Sequence, residues 1–136
     1  MATTELNLEE IVVRDIMTRG VATIQCDENV PKVAKIMTEE DISCIVVVDQ
    51  ADEAAGMISS LDIVRTFSEK TIAEIETTTA EDIMTPFVVE ANVEMTLKEI
   101  ANIMTAKSIH RVVVLSPVGR KPVGILSATD IVKRIS

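Results

Sequence analysis

The sequence predicts an α+β fold: two β-α-β-β-α repeats packed sheet to sheet about a pseudo-two-fold axis. Three observations lead there. The chain repeats itself, because Asp15-Ile16-Met17-Thr18 returns 67 residues on as Asp82-Ile83-Met84-Thr85, and the same offset carries Ile36-Met37-Thr38 onto Ile103-Met104-Thr105 and Val46-Val47 onto Val113-Val114. Further on, Gly56-Met57-Ile58-Ser59-Ser60-Leu61-Asp62-Ile63-Val64 returns as Gly124-Ile125-Leu126-Ser127-Ala128-Thr129-Asp130-Ile131-Val132 at offset 68, and the added residue belongs in the intervening turn. Within each copy, helical periodicity alternates with short β-branched runs. Finally, 136 residues make one domain or two half-size units sharing a core. A copy of about 60 residues has little room for a core of its own, so the two sheets are expected to bury each other's faces.

Each element follows in order. A short strand is expected at residues 21–24 and again at 88–91. The next helix shows apolar positions at i, i+3, i+4 and i+7: Val30, Val33, Ala34 and Met37 in the first copy, and Leu97, Ile100, Ala101 and Met104 in the second. Its start is marked by Asn29 with Pro31 in the first turn, and in the second copy by the capping box Thr96-Leu97-Lys98-Glu99. Ile45-Val46-Val47-Val48 and Val112-Val113-Val114-Leu115 read as buried central strands, ended by turn chemistry at residues 49–53 and 116–122. A second strand through Gly56 or Gly124 then runs into a helix beginning just after Ser59 or Ser127. The expected organisation is an N-terminal segment 1–11, repeat 12–70, linker 71–79 and repeat 80–136.

Composition excludes several functions. A net charge of −9 disfavours a nucleic-acid partner, and two Phe with no Trp or Tyr provide no stacking platform for single strands. No apolar run approaches the roughly 20 residues a bilayer needs, and the acidic, polar N-terminus is unlike a signal peptide, so a cytoplasmic location is expected. Cys26, Cys44 and the single His110 cannot assemble a zinc quartet or a disulfide framework. The methionines at repeat-matched positions read as core or helix-interface filling. No catalytic pair, Gly-rich phosphate loop or metal helix stands out, so no catalytic residue is assigned.

Two constellations remain. Ser59 and Asp62, like Ser127 and Asp130, place a hydroxyl at a helix N-cap and a carboxylate at N3. An ordinary capping pair explains them, and so does a phosphate at the helix N-terminus with a carboxylate accepting from sugar hydroxyls. His110 and Arg111 stand before the second buried strand, either as solvated surface groups or as a compact anion site in an acidic protein. The first copy has Ser43-Cys44 there, so the two copies should differ in anion affinity.

Taken together, the Asp-Ile-Met-Thr opening, Met-containing helix, Val strand and Gly-x-x-Ser-x-x-Asp-Ile ending, each occurring twice between Val12 and Ser136, closely resemble a tandem pair of CBS domains, the Bateman module. The resemblance implies a stand-alone, non-catalytic regulatory module that binds AMP, ADP, ATP or S-adenosylmethionine in clefts between the repeats and signals to a partner protein. It implies ribose contacts from Asp62 and Asp130, ribose or phosphate contacts from Ser59 and Ser127, and a phosphate contact from His110 and Arg111. It also implies an adenine pocket lined by the loops from Thr18 to Val21 and from Thr85 to Val88. A homodimer through exposed helix faces, supplied by helical Met and Ile, is implied as well. The alternatives are a structural dimerisation module without ligand and an enzyme acting on nucleotides.

Overall fold

The computed structural model of the chain describes residues 8–86 and 89–136. It forms two compact units whose boundaries cut across the sequence repeats: one joins the chain up to Val21 to Val89–Ser136, and the other takes the stretch between.

In the continuous unit, β2 (Thr23–Gln25) lies parallel to β3 (Cys44–Val48), which lies antiparallel to β4 (Ala54–Ser59). Between β2 and β3 runs α2 (Val30–Glu39), whose start is satisfied by the Asn29 side chain accepting from the Lys32 amide. Its apolar stripe buries Val33 and Met37 against Ile45, Val47 and Ile58 of the sheet. The turn after β3 is held by Asp49 Oδ1, which accepts from the Ala51 and Glu53 amides at 2.8 and 3.0 Å. From β4 the chain passes directly into α3 (Ser60–Glu69). Residues 71–79, expected as a linker, carry α4 (Ile72–Thr77), and α5 (Ala80–Ile83) follows; both open with capping boxes, Thr71 with Glu74 and Thr79 with Asp82.

The second unit begins with a 3-10 turn (Leu8–Glu10), α1 (Val13–Ile16) and β1 (Thr18–Arg19), then resumes with β5 (Glu90–Ala91), α6 (Leu97–Lys107), β6 (Arg111–Leu115), β7 (Pro122–Ser127) and α7 (Ala128–Ile135). Its sheet order is β1-β7-β6-β5. Val13 and Met17 enter a core with Leu97, Ile100, Met104, Val112 and Leu126. Backbone hydrogen bonds tie the segment down, from the Val13 amide to the Met95 carbonyl at 2.8 Å and from the Leu97 amide to the Ile11 carbonyl at 2.8 Å.

The opening segment of each repeat thus packs on the sheet of the other repeat. Asp15-Ile16-Met17-Thr18 lies against β7, and Asp82-Ile83-Met84-Thr85 lies against β4, where the Thr85 amide donates to the Met57 carbonyl at 2.9 Å. The close approach explains the repeated glycine. A Cβ on Gly124 would stand 2.7 Å from the Thr18 carbonyl oxygen, and one on Gly56 would lie 2.6 Å from Met84 Sδ. Gly20, at φ +78, turns the chain after β1, which is why the strand expected at 21–24 begins at Thr23. The strand expected at 88–91 is observed as Glu90–Ala91, and Val88 lies outside the described residues.

Candidate functional site

The site is built at the end of the last strand of each unit. In the discontinuous unit, β7 ends at Ser127, which caps α7: the Asp130 amide donates to Ser127 Oγ at 3.2 Å, and Asp130 Oδ2 accepts from the Ser127 amide at 2.8 Å. Asp130 Oδ1 takes no partner among the described residues. In register beside Ser127 stands Arg111, the first residue of β6, and two residues back Ile125 pairs with both Val113 and Thr18. Residues opposite one another across a sheet share a face. Val112 and Leu126 face the helical core, so alternation puts Arg111, Ser127 and Thr18 on the other face. Val21, half-buried, follows at the end of that segment.

The continuous unit repeats the arrangement with different groups. Ser59 caps α3 and Asp62 closes the box, but here both carboxylate oxygens of Asp62 carry partners. Its Oδ2 accepts from the Ser59 amide at 2.7 Å and from Ser59 Oγ at 3.0 Å, while Oδ1 holds Arg65 Nη1 at 3.0 Å. Beside Ser59 stands Cys44 in place of an arginine, and Thr85 pairs with Met57 as Thr18 pairs with Ile125.

His110 is not brought together with the Arg111 side chain. Its carbonyl accepts from the Ala128 amide at 2.8 Å, and the residue lines a 480 Å³ groove between α6 and α7 with Ala101 and Ile131. Consecutive residues at a strand start point to opposite sides, which spacing along the sequence does not reveal. The matching groove between α2 and α3, 380 Å³, is lined by Ala34, Ile42 and Ile63 among others. Arg65 is a residue whose role could not be phased from the sequence; the i,i+3 spacing to Asp62 was the available signal.

Other titratable groups lie away from these strand ends. Burial, followed by the charges of Glu81, Asp49 and Asp27, pushes the Cys26 thiol up, and its Sγ donates to the Val48 carbonyl at 3.2 Å. Such a thiol stays protonated and unreactive. Among the described residues no group of three or more ligating side chains could hold a metal ion, and no helix is long and apolar enough to cross a membrane.

The repeated strand, cap and helix arrangement coincides with a known family, whose CBS domain model matches residues 13–69 and again 80–136. The chain belongs to the CBS domain family. Its fold is similar to the CBS domain pair of protein MJ0100 in complex with 5'-methylthioadenosine and S-adenosyl-L-methionine, at 27% identity and a TM-score of 0.78, covering 91% of this chain and 94% of that one. It is also similar to the CBS domain of a CBS domain containing membrane protein from Sphaerobacter thermophilus, at 30% identity and a TM-score of 0.83, covering 96% and 91%. A homoserine O-acetyltransferase of Methanococcus vannielii is 29% identical over 129 residues, 95% of this chain and 26% of that protein. This CBS domain pair therefore spans about a quarter of the length of such curated relatives. CBS domain pairs are in general regulatory modules, carried by enzymes of that kind as one part of a larger protein.

Proposed function

We propose that this CBS domain pair is a non-catalytic sensor that binds an adenosine-containing ligand, AMP, ADP, ATP or S-adenosylmethionine, at its Ser-x-x-Asp strand ends and passes occupancy to a partner protein. One observation carries the reading: the same constellation occurs twice, a capped helix start, a carboxylate at N3 and a threonine-bearing edge segment brought in from the other repeat. In this reading Asp130 and Asp62 accept from ribose hydroxyls, Ser127 and Ser59 with the adjoining helix amides donate to ribose or phosphate, and the segments at Thr18, Val21 and Thr85 flank the base. The adenosine ligands bound by the MJ0100 pair support it.

Signalling needs a surface, and α3 and α7 supply one. Leu61, Val64 and Phe67 on α3 and Val132 and Ile135 on α7 are 58–70% exposed, whereas Met17, Met37 and Met104 are buried in the cores. The implied dimer surface thus consists of Leu, Val, Phe and Ile in place of the expected methionines. A homodimer would bury these faces, and ligand occupancy would shift its geometry.

A second reading has its own support, because both capping boxes are complete in the protein alone and need no ligand to explain them. Thermal-shift measurements with AMP, ADP, ATP and S-adenosylmethionine separate the two. A ligand at 100 times its dissociation constant adds about 2.7 kcal/mol. The sensor reading expects one compound to do so and Asp130→Ala to abolish or strongly reduce the shift. A purely structural module expects no shift with any of them, and a loss of about 1 kcal/mol in the variant as a cap is removed.

A further inference from the structure

We infer that a second copy of this chain docks in one direction: the acidic α2–α3 side of the continuous unit in each copy meets the basic α6–α7 side of the discontinuous unit in the other. This rests on the homodimer reading above and gives that dimer its orientation. Both sides carry apolar groups that the chain leaves uncovered. Val64 and Val132, at matching positions of α3 and α7, are 58% and 62% exposed, and each lines the groove beside its helix, 380 Å³ in the continuous unit and 480 Å³ in the discontinuous one. Phe67 and Ile135, one turn further on, are exposed and match as well. Uncovered apolar surface of this kind marks a protein contact, yet it favours like sides meeting as much as unlike ones.

Charge decides between them. Residues 22–88 hold 14 Asp and Glu against four Lys and Arg, and the rest of the chain holds eight against nine, which gives −10 for the continuous unit and +1 for the other. The contrast reaches the helix ends beside the grooves. α2 ends at Glu39 and is followed by Glu40 and Asp41, where the matching residues of the second repeat are Ala106, Lys107 and Ser108. Asp41 lines the first groove, and the exposed His110 lines the second. On α7, Lys133 and Arg134 follow Val132, where α3 has Arg65 and Thr66 after Val64. Glu39, Glu40, Asp41, Lys107, Lys133 and Arg134 are all exposed, and none of them forms an ion pair among the described residues. Acidic groups at the end of α2 add to the negative end of its helix dipole, and the last turn has no basic residue to offset them, since Lys32 and Lys35 stand a turn or more earlier. A cation from outside therefore gains there. Two like sides would set that acidic end against its own copy, the juxtaposition by which charge suppresses a wrong pairing, whereas unlike sides offer it Lys107, Lys133 and Arg134.

Cross-linking of the whole chain tests the direction. Val64→Cys and Val132→Cys are each treated with a short bis-maleimide, alone and after mixing, with the native chain as the blank for Cys26 and Cys44. The mixture is expected to give a covalent dimer that neither variant gives alone. In sedimentation equilibrium, Lys133→Glu with Arg134→Glu should weaken self-association by about tenfold or more, as should Glu39→Lys with Glu40→Lys, and mixing the two variants should recover it. Circular dichroism of each variant establishes that its fold is intact. Val64→Cys or Val132→Cys cross-linking to itself, a dimer that cross-links in no combination, or charge reversals that leave self-association unchanged each overturn the direction. A chain that stays monomeric overturns it together with the homodimer. Thermal shifts with the adenosine compounds read the sensor function separately, so its failure is told apart from either result.

Discussion

The two units solve one packing problem with matching backbone bonds and different additions to them. Each must hold an Asp-Ile-Met-Thr segment contributed by the other repeat. In the continuous unit that segment is held by amide bonds from Ala80 and Glu81 to the loop before α2, by a bridge from Thr85 to Met57, and by the Thr79–Asp82 capping box beside the fully buried Ala80. In the discontinuous unit α1 has no side-chain cap, since Val12 occupies that position, and the segment is held by strand pairing of Thr18 and Arg19 with β7 and by amide bonds to the loop before α6. Near-identical tetrapeptides thus share a set of backbone bonds, to which one unit adds a side-chain cap and the other a second paired residue, Arg19 with Gly124. Equivalence in sequence does not carry over to equivalence in energetics.

Chain continuity should produce the largest contrast. A fragment of residues 22–88 contains the whole continuous unit and is expected to unfold cooperatively by circular dichroism. A fragment of residues 80–136 lacks Val13 and Met17 from its core, and deletions of this kind cost about 2–5 kcal/mol per large side chain against a domain stability of about 5–15 kcal/mol. It should show no cooperative transition until a peptide of residues 8–21 is added. Equal behaviour of the two fragments would erase the distinction.

Next in size is the glycine contact. Gly56→Ala and Gly124→Ala should each cost about 1–3 kcal/mol in denaturant unfolding, because the new methyl meets the backbone carbonyl of Thr85 or Thr18. The Gly56 variant should lose more, its approach being the tighter one.

A smaller effect would make the units more alike. Val12→Thr places a hydroxyl at the α1 N-cap with Asp15 already at N3, completing the box that Thr79 and Asp82 form in α5. A gain of about 0.5–1 kcal/mol in thermal unfolding is expected. No gain would mean that sheet pairing already holds α1 in place.

The weakest handle is acid. Hydrogen bonds from the Thr79 and Thr71 amides hold the Asp82 and Glu74 carboxyls below their ordinary values. A carboxyl lowered in the folded state stabilises at pH values above its ordinary one, and that stabilisation disappears as pH falls through the lowered one. Amide exchange in α4 and α5 should therefore accelerate as pH is taken below about 4, after correction for the intrinsic exchange rate. The effect should be small, since both groups are exposed.

Much of this was legible from residues alone. The Asn29 and Thr96 helix starts, the stripes through Val33 and Ile100, and the capped strand ends at Ser59 and Ser127 all appear where spacing put them, because caps and amphipathic stripes are local and periodic. The helix in residues 72–77 was written in the same code, Thr71-Ile72-Ala73-Glu74, yet it lay in a stretch assigned to connection because it has no counterpart in the repeat. The opposite facing of His110 and Arg111 depends on where the strand begins, and a shift of one residue reverses it.

By itself, then, the sequence determined the repeats, the helix starts, the central strands and the paired serine and aspartate positions, since each depends on neighbours within a few residues. Only the tertiary structure decided that each repeat's opening segment belongs to the other repeat's sheet, that Arg65 pairs with Asp62 while Lys133 makes no such pair with Asp130 among the described residues, and that Arg111 and His110 lie on opposite faces. Those outcomes turn on contacts between residues far apart in the chain, and on which of two similar partners a segment finds, and periodicity carries no information about either.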